Sequence, residues 1–270
     1  MDVWQEIFNI IVYGKAVKKN IPITSTITAY LLREGIGKKS SFQNELHILD
    51  KFLSPLYENK QIHTAYNGFN IFTPHVKADM LNRYEAIKKE ISAIKPDILI
   101  IGACGFSPLG LAYAMENPGK YVIDTDLADI IYARKILEAG SPKNYNIQIL
   151  DLLDEKSVAS FCKKIKDIIP SVCSKSMAIV AEGLTFYFDE KQREILNKNL
   201  HTLAKEIKPE NPSSKFILEF YISERPSKER DFKPSSIDPY LFKIFYKISR
   251  NITSGQKCFM KSVDEVKKHL

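Results

Sequence analysis

The sequence predicts a doubly wound, mainly parallel α/β sheet preceded by a helical cap. From Pro96 onward, short β-branched runs alternate with longer stretches of helical period. The first of those runs, Asp97-Ile98-Leu99-Ile100-Ile101, is continuously apolar after its aspartate, as befits a strand covered on both faces. Before Pro96 the apolar residues recur at helical spacing and no run reads as a strand.

Each element follows in order. After the first strand comes the glycine-bearing turn Gly102-Ala103-Cys104-Gly105 and a helix reaching about Met115, with Pro108 near its start, where a missing N–H costs little. Tyr121 to Asp126 is the second strand, and its helix runs from Leu127 to Ala139, where Gly140 can provide a left-handed stop. The third strand is Asn146 to Asp151, followed by a helix from about Asp154 to Ile169 that Pro170 ends. Met177 to Glu182 is the fourth strand. Its helix opens with Asp189 three residues before Gln192, a capping box, and carries Leu196, Leu200, Leu203 and Ile207 on one face. Lys215 to Ile222 makes the fifth strand. The pattern then breaks into Pro, Lys and aromatic residues, read as an insertion over the site at about 224–260, before a last helix from Ser262. Five strands of a seven-strand arrangement are thereby accounted for, and the closing strand pair is expected to be missing from a truncated chain.

Residues 1–95 are expected to form a helical cap packed on the α/β domain of residues 96–270. Its best helical stretches are Asn44 to Asn59 and Asp79 to Lys95, the latter with Tyr84, Ile87, Ile91 and Ile94 on one face. Thr24-Ser25-Thr26 is expected to cap a helix holding Ala29 to Glu34.

Composition narrows the function. With 270 residues, 44% hydrophobic and 26% charged, the chain is an ordinary globular one. The net charge of +7 comes from lysines scattered along the chain, which argues against nucleic-acid binding, since that calls for a concentrated basic stripe. The basic and aromatic segment Tyr240 to Lys247 reads better as an amphipathic helix serving as a lid or core edge. No apolar run approaches the ~20 residues of a spanning helix, so no membrane role is expected. Asp2 and Glu6 are unlike a secretory leader, so a cytoplasmic location is expected. Cys104, Cys162, Cys173 and Cys258 contain no CxxC pair, and the five histidines show no HxxxH spacing, so no metal site is expected.

In an open parallel sheet, ligands bind at the carboxyl ends of the strands where the winding reverses. Those ends carry Gly102-Ala103-Cys104-Gly105, then Asp124-Thr125-Asp126, then Asp151, then Glu182-Gly183. Small residues after the first strand let a ligand approach the backbone. Asp126 falls 24 residues after Gly102, the spacing of an acid that bonds ribose hydroxyls, with Asp124 as the alternative and a cap for the helix at Leu127 as the competing role. The turn lacks the second glycine of GxGxxG, which favours a ligand without pyrophosphate. S-adenosylmethionine fits that description, with Asp151 able to accept from the adenine amino group and Leu152 able to cover the ring.

Three stretches, in order and spacing, resemble the leucine carboxyl methyltransferase family of class I S-adenosylmethionine-dependent O-methyltransferases. They are ILIIGACGFSPLGL at Ile98 to Leu111, YVIDTDLADIIYARK at Tyr121 to Lys135 and AIVAEGLTFYF at Ala178 to Phe188. The resemblance covers about residues 79–222. Departures are Phe106-Ser107-Pro108-Leu109, where many members have Gly-x-Asp-Thr-Arg, and Ala128, where they have proline. The resemblance implies that Gly102, Ala103 and Gly105 line the methionine end of the cofactor, that Asp126 holds the ribose and that Asp151 and Leu152 recognise adenine. It further implies that Glu182 lies at the floor of the site and that an arginine before the first strand, best Arg83, binds the cofactor's carboxylate.

The expected activity is methyl transfer to a carboxylate or hydroxyl of a small-molecule or peptide acceptor. Glu182 is the candidate base for a hydroxyl, and Phe186 and Tyr187 are candidates for the acceptor pocket. One alternative is a protein that binds the cofactor without turnover. A nucleic-acid methyltransferase is disfavoured because Glu182-Gly183-Leu184-Thr185 replaces the Asn/Asp-Pro-Pro-aromatic tetrapeptide typical of base amino-group methylation. Oligomeric state is left open.

Overall fold

A computed structural model of the protein describes residues 23–37, 39–57, 74–137, 140–169, 175–184, 188–207 and 215–218. Three helices come first: α1 (Ile23–Ile36), α2 (Gln43–Tyr57) and α3 (Pro74–Ile94). The sheet region follows as β1 (Ile98–Gly102), α4 (Leu109–Glu116), β2 (Tyr121–Asp126), α5 (Ala128–Leu137), β3 (Tyr145–Ile149), α6 (Glu155–Ile168), β4 (Met177–Ala181), α7 (Glu190–Ile207) and β5 (Lys215–Leu218).

The five strands are all parallel and lie in the order β3-β2-β1-β4-β5. Winding therefore runs outward from β1 to β3, then reverses to β4 and β5. The crevice at the carboxyl ends of β1 and β4 is the switch point where an open α/β sheet takes its ligand.

Alternation along β1 builds two cores. Leu99 and Ile101, with Val122, Ala178 and Val180, face a core that includes Leu49 and Leu53 of α2 and Tyr84 and Ile91 of α3. Ile98 and Ile100, with Ile123 and Ile179, face α6 and α7 through Phe161, Ile165, Leu196 and Leu200. Full burial of β1 and β4 on both faces explains why they read as unbroken apolar runs.

Local signals set the helix starts. Asp154 accepts from the amides of Lys156 and Ser157 ahead of α6. Asp189 and Gln192 form the expected reciprocal box at α7, with Gln192 N donating to Asp189 Oδ1 at 2.9 Å and Asp189 N donating to Gln192 Oε1 at 3.2 Å. Two expectations on the cap helices change. α1 begins at Ile23, so Thr24-Ser25-Thr26 lie inside its first turn and not before it. Pro22 just ahead of it in sequence suits a helix start better than an internal break. α3 begins at Pro74, five residues earlier than predicted, because proline at the first helical position needs no N–H partner. The expected insertion and last helix fall in 219–270, outside the described residues.

The amino ends of three strands are tied by Asp97. Its carboxylate accepts from Lys120 Nζ at 2.7 Å, from Ser176 Oγ at 2.7 Å and from Ser176 N at 3.0 Å. The Lys120 and Ser176 bonds hold its pKa down at about 2 from an ordinary 3.8. A depressed carboxylate stabilises the fold above its unfolded pKa, and that contribution is lost as pH falls through the folded value. Asp97→Asn is expected to cost about 1 kcal/mol at neutral pH, a modest figure because an exposed carboxylate is screened by solvent. In denaturant unfolding, the gap between wild type and variant should close as pH falls from about 4 towards about 2. A gap independent of pH would show that the ion pair is not its source.

Candidate functional site

The carboxyl edge of the sheet gathers most of the residues that the sequence singles out. After β1 the chain turns through Ala103, at φ +53°, and Gly105, at φ +51°. The turn is anchored on both sides. Cys104 N donates to Thr125 O at 2.9 Å, extending the pairing of β1 with β2 by one step. Gly105 is held through both of its peptide groups, its N–H donating to Asp126 Oδ2 at 2.7 Å and its carbonyl accepting from Arg134 Nη1 at 3.1 Å.

Gly102 explains its own identity. A Cβ there would lie 3.1 Å from Leu152 Cδ1, tighter than nine in ten real contacts. Leu152 is 6% exposed and belongs to the core facing α6 and α7, so its side chain fills the space beside Gly102. Its carbonyl accepts from Asn199 Nδ2 at 2.9 Å, which ties α7 to the turn after β3.

Asp126 has both carboxylate oxygens on backbone amides, Oδ1 accepting from Leu127 N at 2.7 Å just ahead of α5 and Oδ2 from Gly105 N. Burial pushes its pKa up, opposed by those two amide bonds. Leu127 beside it is 55% exposed, an apolar side chain at the rim that the sequence reading passed over. Asp151 lies past the end of β3 in a turn, its Oδ1 accepting from Leu153 N at 2.8 Å. The strand stops earlier than predicted because this local bond replaces sheet pairing.

Asp124, the alternative ribose acid, is excluded from that role by burial. It has no exposed surface, and its Oδ2 accepts from Arg134 Nη2 and from Tyr145 OH, each at 2.7 Å. A Cβ on Gly110 would come within 1.9 Å of Asp124 Oδ1, so α4 crosses over the carboxylate only because residue 110 is glycine. Desolvation raises the pKa of Asp124 and the Arg134 charge opposes it.

Arg83 and Glu182, predicted separately, meet at the switch point. Arg83 Nε lies 2.7 Å from Glu182 Oε1, and each side chain is 15% exposed. α3 delivers the arginine across the sheet face, and the residue after β4 delivers the glutamate. Gly183 follows at φ +64°, where the chain leaves the sheet. Phe186 and Tyr187 lie outside the described residues.

Sequence reasoning did not single out Arg134. The available signal was Asp124 itself, a carboxylate inside a buried strand that demands a cation nearby. Among the described residues no group of three or more His, Cys, Asp or Glu side chains could hold a metal ion. No described helix is long and apolar enough to cross a membrane.

With this geometry established, comparison with known proteins identifies the fold. A candidate methyltransferase from Thermobifida fusca YX superposes with a TM-score of 0.57 at 12% identity, over 94% of this chain and 81% of the other. A DUF574 family protein from Streptomyces avermitilis MA-4680 gives 0.53 at 12% identity, over 91% and 81%. The fold is the Rossmann-like fold of these proteins. No family model matches the sequence, and no curated protein matches it.

The buried ion pair yields a test. Arg134→Met strands the Asp124 carboxylate and is expected to cost about 3–5 kcal/mol in denaturant unfolding, part of which Asp124→Asn in the same chain should restore. A cost no larger than that of a surface substitution would refute the pairing.

Proposed function

We propose that the protein is an S-adenosylmethionine-dependent O-methyltransferase acting on a small-molecule or peptide acceptor. The observation that carries this reading is the Arg83–Glu182 pair beside the glycine turn, at the crevice between β1 and β4. A zwitterionic amino-acid tail is the complement of such a pair, its carboxylate suited to the guanidinium and its ammonium to the glutamate. Gly102, Ala103 and Gly105 supply a backbone that the tail can approach closely. Asp126, at the end of the neighbouring strand, serves the ribose, and Asp151 serves the adenine amino group. Leu152 backs the adenine side from the core, and the exposed Leu127 offers an apolar surface at the rim.

When bound, the cofactor supplies a sulfonium methyl group for in-line transfer to oxygen. The chain's own contribution is positioning and the exclusion of water. Glu182 Oε1 is already committed to Arg83, which suits a binding role better than that of a base. That arrangement favours a carboxylate acceptor, ionised at neutral pH and in no need of proton removal. The resemblance of the three sequence motifs to those of the leucine carboxyl methyltransferases supports the same choice of acceptor.

Calorimetric titration with S-adenosylhomocysteine tests the reading, with adenosine as the fragment that lacks the amino-acid tail. Arg83→Met should weaken S-adenosylhomocysteine by about 10-fold or more and leave adenosine unchanged, as for loss of a charged hydrogen bond. Asp126→Ala should weaken both ligands. A folded wild-type chain that binds neither ligand would overturn the proposal.

A further inference from the structure

Buried polar atoms without partners are rare enough that each calls for an explanation. Among the described residues three side-chain atoms stand in that position: Glu45 Oε2, Asp124 Oδ1 and Arg193 Nε. The first two belong to carboxylates whose other oxygen is bonded to a cation. Arg193 differs, because no acid of the described residues forms an ion pair with it and its one hydrogen bond is a long one, from Nη1 to Phe188 O at 3.4 Å.

Arg193 is 4% exposed and sits in the first turns of α7, in line with the buried Leu196 and Leu200. A cation is out of place there twice over, since burial penalises its charge and the amino end of a helix repels it. The nearest acids in sequence, Glu194 and Glu190, are exposed, and Asp189, four residues before it, spends Oδ1 on the helix cap. What is left of the guanidinium is the edge carrying Nε and Nη2, two parallel donors whose spacing matches a carboxylate. Nη1 reaches back to Phe188, ahead of the first residue of α7, and a helix that follows a parallel strand starts at that strand's carboxyl end, so the guanidinium lies at the end of the sheet that holds the candidate site, while Arg83 on the opposite sheet face is assigned to the cofactor.

We infer that Arg193 is an anion-recognition residue that receives a carboxylate of the acceptor by a bidentate bond. The inference rests on the proposed function for the word acceptor, but the anion site itself is testable without any cofactor. A buried cation kept for a ligand burdens the ligand-free protein, so replacement by an apolar residue of similar length should stabilise it.

The experiment is thermal unfolding of wild type, Arg193→Met and Arg193→Lys in acetate or benzoate, against acetamide or benzamide with sodium chloride at equal ionic strength. Arg193→Met is expected to raise the Tm of the ligand-free protein by about 3 °C or more. Wild type should gain Tm with each carboxylate and not with its amide or chloride. Arg193→Met should lose that gain entirely, and Arg193→Lys, which keeps the charge but not the fork, should lose its preference for carboxylate over chloride. A wild type with no carboxylate-dependent gain overturns the inference. So does an Arg193→Met that is less stable while Arg193→Lys matches wild type, because the residue would then be structural. S-adenosylhomocysteine affinity, measured on the same proteins, separates the two proposals: its loss in Arg193→Met alone would assign the guanidinium to the cofactor, whereas its absence in wild type would refute the proposed function and leave the carboxylate result standing.

Discussion

A carboxylate with no exposed surface in a central strand has to be neutralised, and Asp124 is neutralised by Arg134 and Tyr145. That requirement organises the carboxyl half of the sheet. Arg134 reaches from α5 to β2, and the same guanidinium donates to the carbonyl of Gly105 and lies 5.2 Å from the ring of Phe52 on α2. Three neighbours are thus fixed by one charge: the helix after β2, the turn after β1 and the cap. Gly110 completes the arrangement by letting α4 pass over the carboxylate without a side chain. Removing one partner of such a pair costs more than the pair contributes, because it strands a charge in a low-dielectric interior.

The two ends of the sheet are held by different means. At the amino end Asp97 bonds with Lys120 and Ser176 near the surface, the kind of network that fixes strand register and little else. At the carboxyl end the bonds run from side chains to the backbone of the turn itself. Asp126 takes the Gly105 N–H while Arg134 takes its C=O, so that the two peptide planes flanking Gly105 are each oriented by a side chain. A turn held in this way presents its remaining N–H groups in a fixed direction, and little ordering remains to oppose a ligand's arrival.

Much of this was legible in the sequence, and what was not has a physical reason. β1 and β4 announce themselves because strands buried on both faces read as unbroken apolar runs, and β2, which carries Asp124 and Thr125 into the interior, was still placed to the residue. The capping box at Asp189 and Gln192 is a local bond pattern and therefore readable locally. Arg83 and Glu182 could each be singled out, but not their meeting across 99 residues of chain, because pairing depends on how α3 lies on the sheet. Arg134 escaped for the opposite reason. Helical periodicity assigns a face by its neighbours, and an arginine between Ala133 and Lys135 looks solvated until the acid ten residues earlier is known to be buried. Arg193 likewise continues a leucine stripe that periodicity alone would end at Leu196.

The cap helices have a part in the candidate site because α3 carries Arg83, and the position of α3 depends on a second buried acid. Glu45 of α2 has no exposed surface and accepts at Oε1 from Lys88 Nζ and, at 3.3 Å, from Tyr84 OH. Tyr84 and Lys88 are one helical turn apart on α3, so a single carboxylate fixes both the rotation and the height of that helix. Burial, followed by the charge of Glu45, pushes the Tyr84 hydroxyl well above its ordinary pKa, so it stays protonated as the donor. Arg83 is the neighbour of Tyr84 in the chain, and any slip of α3 against α2 would withdraw its guanidinium from Glu182. A helix that serves only as cover can tolerate such a slip, because apolar contacts have no preferred register. A helix that must hold one nitrogen 2.7 Å from one oxygen cannot, and the directional bonds of Glu45 supply the register that apolar packing leaves loose.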